Sequence, residues 1–158
     1  MEFSGTLDEK FRISLPARIR GSLKENKIIL TKGDTKSIWV FAPEDYVKFT
    51  KKLFMDHSNL SSNKRYDLQR RFIAPKAEME IDKAGRIILP LSLRNHACLS
   101  REITILELIL EGVIEGEVDR LEIWDSGNYA EYEKESEEQV NKALDQMWSA
   151  PQFSGNPG

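Results

Sequence analysis

"DKAGRIILP" (82–90) is written almost twice in this chain, since "DEKFRISLP" (8–16) aligns with it without a gap at an offset of seventy-four residues. Asp8 matches Asp82, Arg12 matches Arg86, Ile13 matches Ile87, Leu15 matches Leu89 and Pro16 matches Pro90. Each copy holds an acid, a base four residues on, and a short alternating run that ends in proline. The match continues outward, where "ARIRGSL" (17–23) faces "LSLRNHACL" (91–99) and Arg20 keeps register with Arg94. Further on, "WVFAPEDYVKF" (39–49) resembles "EIWDSGNYAEY" (122–132) at an offset of eighty-three, pairing Phe41 with Trp124, Tyr46 with Tyr129 and Phe49 with Tyr132. Nine extra residues must therefore enter the second copy, and they are expected within "LELILEGVIEGEVDR" (106–120).

Each copy reads as short strands with helices between them, a mixed α+β pattern. "RISLP" and "RIILP" are β-rich, and each proline can open a short helix at its first position. "KIILT", "ITILEL", "SIWVF" and "RLEIW" read as further strands. "PEDYVKFTKKLF" (43–54) predicts a helix, with proline first, acids in the opening turn and lysines near the end. Tyr46, Phe49 and Leu53 share one face of it at helical spacing. Its counterpart starts at Ser126, with Tyr129, Tyr132, Val140, Leu144 and Met147 as a weaker stripe, and both stripes read as core. "SSNKRYDLQRRF" (61–72) predicts a linking helix capped by Ser62. The resulting division is a first repeat at 1–60, a link at 61–76, a second repeat at 77–135 with an acidic insertion at about 107–119, a C-terminal helix at 136–148 and a disordered tail at 149–158. The apolar "ILELIL" beside the insertion would be an aggregation-prone edge if left open.

At 158 residues the chain has the length of one domain or two intimately packed halves. Its composition, 40% hydrophobic and 31% charged, is that of a soluble globular protein. No run approaches the roughly 20 apolar residues of a membrane span, and "MEFSGTLDEK" lacks a basic-then-apolar signal pattern. Cys98 is the single cysteine, and with two distant histidines it gives no metal-ligand spacing. A cytosolic protein without cofactor is the expectation. The net charge of -3 conceals an asymmetry: residues 1–76 carry 16 basic and 9 acidic side chains, and residues 77–158 carry 7 and 17. A basic half can bind a polyanion while the acidic half stays away.

The doubled Asp-x-x-x-Arg carries the chemistry. Asp suits the first position of a tight turn because its carboxylate accepts backbone N–H bonds. Gly85 suits the left-handed residue that closes such a loop. The arginine then emerges beside the turn, where its fork of donors can reach a phosphate or a guanine edge. Lys10 and Lys83 add charge on the same loops. Three readings compete: Asp8–Arg12 and Asp82–Arg86 pairs that brace hairpins, a catalytic carboxylate pair, and two basic loops gripping DNA. The catalytic reading has no accompanying nucleophile, metal site or glycine-rich phosphate loop.

Taken with "FSGT", "LPARIR", "LQRRF", "EMEIDKAGRIILP" and "LEIW", the paired "DEKFR" and "DKAGR" motifs resemble the MraZ family of bacterial transcription regulators over roughly residues 1–135. The resemblance implies a tandem, pseudo-symmetric AbrB-like swapped-hairpin β-barrel with peripheral helices. It implies a ring-shaped homo-oligomer, commonly an octamer, that binds direct promoter repeats upstream of the division and cell-wall genes, acts mainly as a repressor and associates with the nucleoid. It implies double-stranded DNA and the chain itself as partners, with no membrane, cofactor or small-molecule substrate. By position, the implied DNA contacts are Lys10, Arg12, Lys83 and Arg86, followed by Arg18 and Arg20 on the next short helix. Arg20 and Arg94 have a structural reading as well. Asp8, Asp82 and Gly85 belong to the loop motif. Phe11 departs from the pattern, which has Gly there. A left-handed Phe costs on the order of 1 kcal/mol, so a first turn of changed shape is expected. Another AbrB-like regulator or antitoxin, and a ring-forming assembly protein whose basic loops hold an acidic partner, remain alternatives.

Overall fold

The computed structural model describes residues 1–55, 60–108 and 119–149, without the side chains of 18, 19 and 22. The chain forms two units, Met1–Ser126 and Gly127–Gly158. In order, the elements are β1 (Glu2–Thr6), β2 (Arg12–Ser14), α1 (Ala17–Ser22), β3 (Lys27–Lys32), β4 (Ser37–Phe41), α2 (Pro43–Met55), α3 (Ser62–Phe72), β5 (Ala77–Glu80), β6 (Arg86–Ile88), α4 (Leu91–Ala97), β7 (Glu102–Leu108), β8 (Arg120–Asp125) and α5 (Ser126–Ser149). No described helix is long and apolar enough to cross a membrane.

Six strands form an antiparallel sheet in the order β1-β7-β8-β4-β3-β5, and β2 pairs with β6 in a separate ribbon. The two copies interleave, because the first strand of each pairs with the third strand of the other: β1 with β7, and β5 with β3. The ribbon pairs Ile13 with Ile87, its own counterpart at an offset of seventy-four. In the middle of the sheet Trp39 faces Glu122, its counterpart at eighty-three. A pseudo-twofold axis therefore runs through both pairs. The sheet is open, ending at β1 on one side and β5 on the other. The closed barrel that the resemblance implies is thus not what these strands form.

The registers also place the extra residues. Phe3 pairs with Ile105 and Ala77 with Leu30, so Ile105 corresponds to Leu30 at an offset of seventy-five. One of the nine extra residues thus enters before β7, and the other eight enter between Leu108 and Arg120. Most of the acidic insertion (109–118) and of the tail (150–158) lie outside the described residues. The run "ITILEL" forms β7, which is shielded between β1 and β8 rather than lying on an edge.

One face of the sheet closes over the ribbon. Ile13, Leu15, Ile87 and Leu89 are buried there with Ile28, Leu30, Ile38, Ile103, Ile105 and Ile123. Fully burying one such side chain contributes about 1.5–3 kcal/mol, so the ribbon is held as core, with only its outer face free. The first copy's opposite face carries an aromatic cluster. Ile29, Trp39 and Phe41 meet Tyr46 from α2 and Phe72 from α3, with Phe49 and Leu53 against them. Phe72 stacks on Trp39 at 5.4 Å between ring centroids. The α2 stripe is therefore core, as its spacing predicts.

Two expectations need correction. The N-cap of α3 is Ser61, whose hydroxyl accepts from the Lys64 N–H at 3.3 Å, one residue before the Ser62 expected. No residue of α5 is buried, and Tyr132, Val140 and Met147 are exposed. Its stripe is not core: glutamates interrupt the apolar positions along most of this helix, and its apolar side chains are too sparse to form a continuous buried seam.

Candidate nucleic-acid interface

The two Asp-x-x-x-Arg loops share one hydrogen-bond circuit. In the first, Asp8 Oδ1 accepts the N–H groups of Lys10 at 2.8 Å and Arg12 at 2.9 Å, while Oδ2 accepts Arg12 Nε at 2.8 Å. In the second, Asp82 Oδ1 accepts the N–H groups of Ala84 at 2.9 Å and Arg86 at 2.8 Å, while Oδ2 accepts Arg86 Nε at 3.3 Å. The backbone N–H of each aspartate donates to its arginine's carbonyl at 3.0 Å. The residue before each arginine then donates its own N–H back to that aspartate's carbonyl. The bond from the Arg12 N–H, ahead of the Arg12 side chain and the Lys10 N–H, holds the Asp8 carboxyl below the ordinary range. The Arg86 N–H does the same for Asp82. Each carboxylate uses both of its oxygens within its own loop.

Phe11 keeps the left-handed conformation, with φ at 61° beside 79° for Gly85. The first turn has not changed shape, contrary to expectation. What the sequence does not reveal is the platform: the Arg94 guanidinium lies 3.6 Å from the centroid of the Phe11 ring, a cation–π contact that offsets part of the backbone cost. Arg94 Nε also donates to Leu89 O at 2.9 Å. The counterpart, Arg20, donates through Nε to Leu15 O at 3.2 Å. Its guanidinium covers Gly85, where an added Cβ would come within 2.5 Å of Cζ. Arg20 is thus turned inward onto the opposite copy's loop. The crossing is reciprocal in the backbone too, with Leu15 N–H donating to Gly85 O and Leu89 N–H to Phe11 O, each at 2.9 Å.

The ribbon sets the arginines on a common face. Ile13 and Ile87 point into the core, so by strand alternation Arg12, Ser14, Arg86 and Ile88 point outward. Arg12 and Arg86 are diagonal neighbours on the paired strands, on the order of 7–8 Å apart. Among the described residues, neither has a protein partner for its terminal nitrogens. Exposed Lys10 and Lys83 sit on the loops at the two ends. The side chain of Arg18, on α1, lies outside the described residues. Beyond the expected residues, the face includes exposed Ile88 from the ribbon, and Leu91 in the first turn of the following helix α4 is exposed as well. The period-two alternation of "RIS" and "RII" is the signal that marks Ile88 as outward.

Comparison with known proteins agrees with this doubled architecture. The family model described as "MraZ protein, putative antitoxin-like" matches residues 2–70 and 72–149, one match per copy. A "Transcriptional regulator MraZ" of Treponema denticola is 36% identical over 146 residues, 92% of this chain and 94% of that protein. Proteins of the same name from Treponema pallidum subsp. pallidum and Lachnoclostridium phytofermentans are 37% identical over 135 residues (85% of this chain, 84% of that one) and 33% over 147 (92% of each). Matched on both copies by one model and along most of its length by these relatives, the chain belongs to the MraZ family.

Proposed function

We propose that this protein is a sequence-specific DNA-binding transcriptional regulator whose β2–β6 ribbon enters the major groove. The observation that carries the reading is the pair of arginines on one outward ribbon face, each held through Nε by its aspartate and with no partner among the described residues for its terminal nitrogens. A two-stranded ribbon fits the major groove, and an arginine fork pairs bidentately with guanine O6 and N7. Lys10 and Lys83 supply phosphate contacts from the loop tips, and Arg18 is a further candidate. Arg20 and Arg94 serve the interface by bracing the loops. The names of the relatives support the regulatory role. The interleaved pairing of β1 with β7 and β5 with β3 supports reading the two copies as a tandem swapped-hairpin unit.

A net charge of -3 on the whole chain gives one protomer a weak hold on a polyanion. A ring-shaped homo-oligomer, an octamer by resemblance, sets several ribbons against successive direct repeats in the promoter of the division and cell-wall genes. Tethered sites gain about 100-fold or more in avidity. Repression follows from occupying that promoter, and the protein acts in the cytoplasm on the nucleoid. The test measures affinity for duplexes with one, two and four promoter repeats at several salt concentrations. Affinity is expected to rise with repeat number and to fall with salt at about -0.9 in log–log slope per neutralised phosphate. Equal affinity for one and four repeats with a flat salt response contradicts the mechanism.

A further inference from the structure

The pseudo-twofold axis makes the two ends of the ribbon equivalent in backbone, yet their side chains differ in one direction. Near Arg12 stand Phe11, Ile88 and Leu91; at the positions related by the axis, near Arg86, stand Gly85, Ser14 and Ala17. All three differences put the larger apolar group at the Arg12 end. Phe11 is 43% exposed, and Ile88 and Leu91 are each 59% exposed. All three neighbour Arg12 or Arg94: Ile88 pairs across the ribbon with Arg12, Phe11 precedes Arg12, and Leu91 lies one helical turn before Arg94, which covers the Phe11 ring. Exposed apolar side chains in one cluster mark a contact surface.

The charges around the cluster select its occupant. Lys10 precedes Phe11, Arg12 follows it and Arg94 rests on its ring, so the partner carries small apolar groups within a dense anionic frame. A thymine 5-methyl in the major groove, flanked by phosphates, has that chemistry. A second copy of this chain would have to bring carboxylates from its acidic half, and the mass by light scattering separates that occupant from DNA. We propose that Phe11, Ile88 and Leu91 form a thymine-reading patch at the Arg12 end of the ribbon, while Ser14 at the Arg86 end accepts a polar base edge. The inference rests on the DNA-binding reading and deepens it. It gives the bound sequence a direction: a pseudo-symmetric ribbon with unlike ends docks in one orientation, so every protomer of an assembly reads its repeat with the same polarity.

The experiment takes a duplex selected from a random library by the full chain and replaces its thymines one at a time with 2′-deoxyuridine. That change removes only the 5-methyl and leaves every hydrogen-bonding group in place. Substitutions on one side of the site are expected to weaken binding about fourfold per contacted methyl. The triple variant Phe11→Gly, Ile88→Ser, Leu91→Ala takes its residues from the other end, where the same backbone already accommodates them. With unchanged circular dichroism it is expected to lose the deoxyuridine sensitivity and to keep its dependence on Arg12. Wild-type binding that needs Arg12 but ignores deoxyuridine overturns the patch and leaves the DNA reading intact. Equal sensitivity in the triple variant also overturns the patch. So does a triple variant whose mass by light scattering changes while its sensitivity persists, which assigns the cluster to a subunit contact. A chain that selects no duplex overturns both readings.

Discussion

At Phe11 the backbone stands at φ 61° and at Gly85 at 79°, and around both the aspartate makes the same five-bond circuit with its loop. One position carries a large aromatic ring and the other carries no side chain. The circuit therefore does not need glycine; the aspartate and the arginine impose the left-handed turn between them. Glycine provides space for Arg20, which fills the volume a Cβ would take. In the other loop the ring becomes a surface on which Arg94 rests. Both arginines keep the same anchor, the carbonyl two residues before their helix, at Leu15 and Leu89. Duplication preserved the hydrogen bonds and let the packing against them diverge.

Exchanging the two solutions breaks the comparison most strongly. Gly85→Ala places a methyl against Arg20 at a left-handed residue, costing about 1 kcal/mol of backbone strain and about 1 kcal/mol for the displaced Arg20 bond. We expect a loss of about 2 kcal/mol by chemical denaturation. Phe11→Gly relieves strain and loses the cation–π contact, two effects of similar size, and should stay within about 1 kcal/mol of wild type. If Phe11→Gly proves the more damaging of the two, the ring is more than a platform.

A double-mutant cycle sharpens the same point. Phe11→Leu and Arg94→Gln, alone and combined, should give a coupling of about 0.5–1 kcal/mol. Additive effects would mean that Arg94 works only through the Leu89 carbonyl.

These expectations separate what the sequence carried from what it could not. The nine-residue repeat marked the two short strands and the aspartate-anchored turn before each, because a duplicated turn motif specifies local hydrogen bonds; that the two strands pair with each other as a ribbon was not legible in it. The α2 stripe was equally legible from its spacing. The shape of the first turn was not, because the group that stabilises Phe11 arrives from α4, eighty-three residues on. The pairing of β1 with β7 was hidden for a related reason: alternation tells a strand which face is buried, not which strand lies beside it. Alternation marks Ile88 as outward but not what it meets, and Leu91 has no local signature until the pseudo-symmetry sets Ala17 beside it.

The smallest effect concerns pH. Both aspartates have depressed carboxyl pKa values in the folded chain, so the unfolded chain takes up protons first on acidification. Their stabilisation is fully present above the ordinary aspartate value of 3.8 and is lost as pH falls below it through the folded values. Asp8→Asn and Asp82→Asn should each flatten the acid limb of the stability curve and leave it unchanged in shape near neutrality. A variant whose acid limb matches wild type would show that its loop carries no charge-dependent stability.

The central claim is that the two arginines bind DNA as a pair from one ribbon face. It is tested most directly by the affinity of Arg12→Ala, Arg86→Ala and the double variant for a promoter duplex, with circular dichroism on the same samples. The account predicts folded proteins in which each single change costs about 1–3 kcal/mol of specific binding and the double variant loses more than either. A folded double variant with wild-type affinity would contradict it.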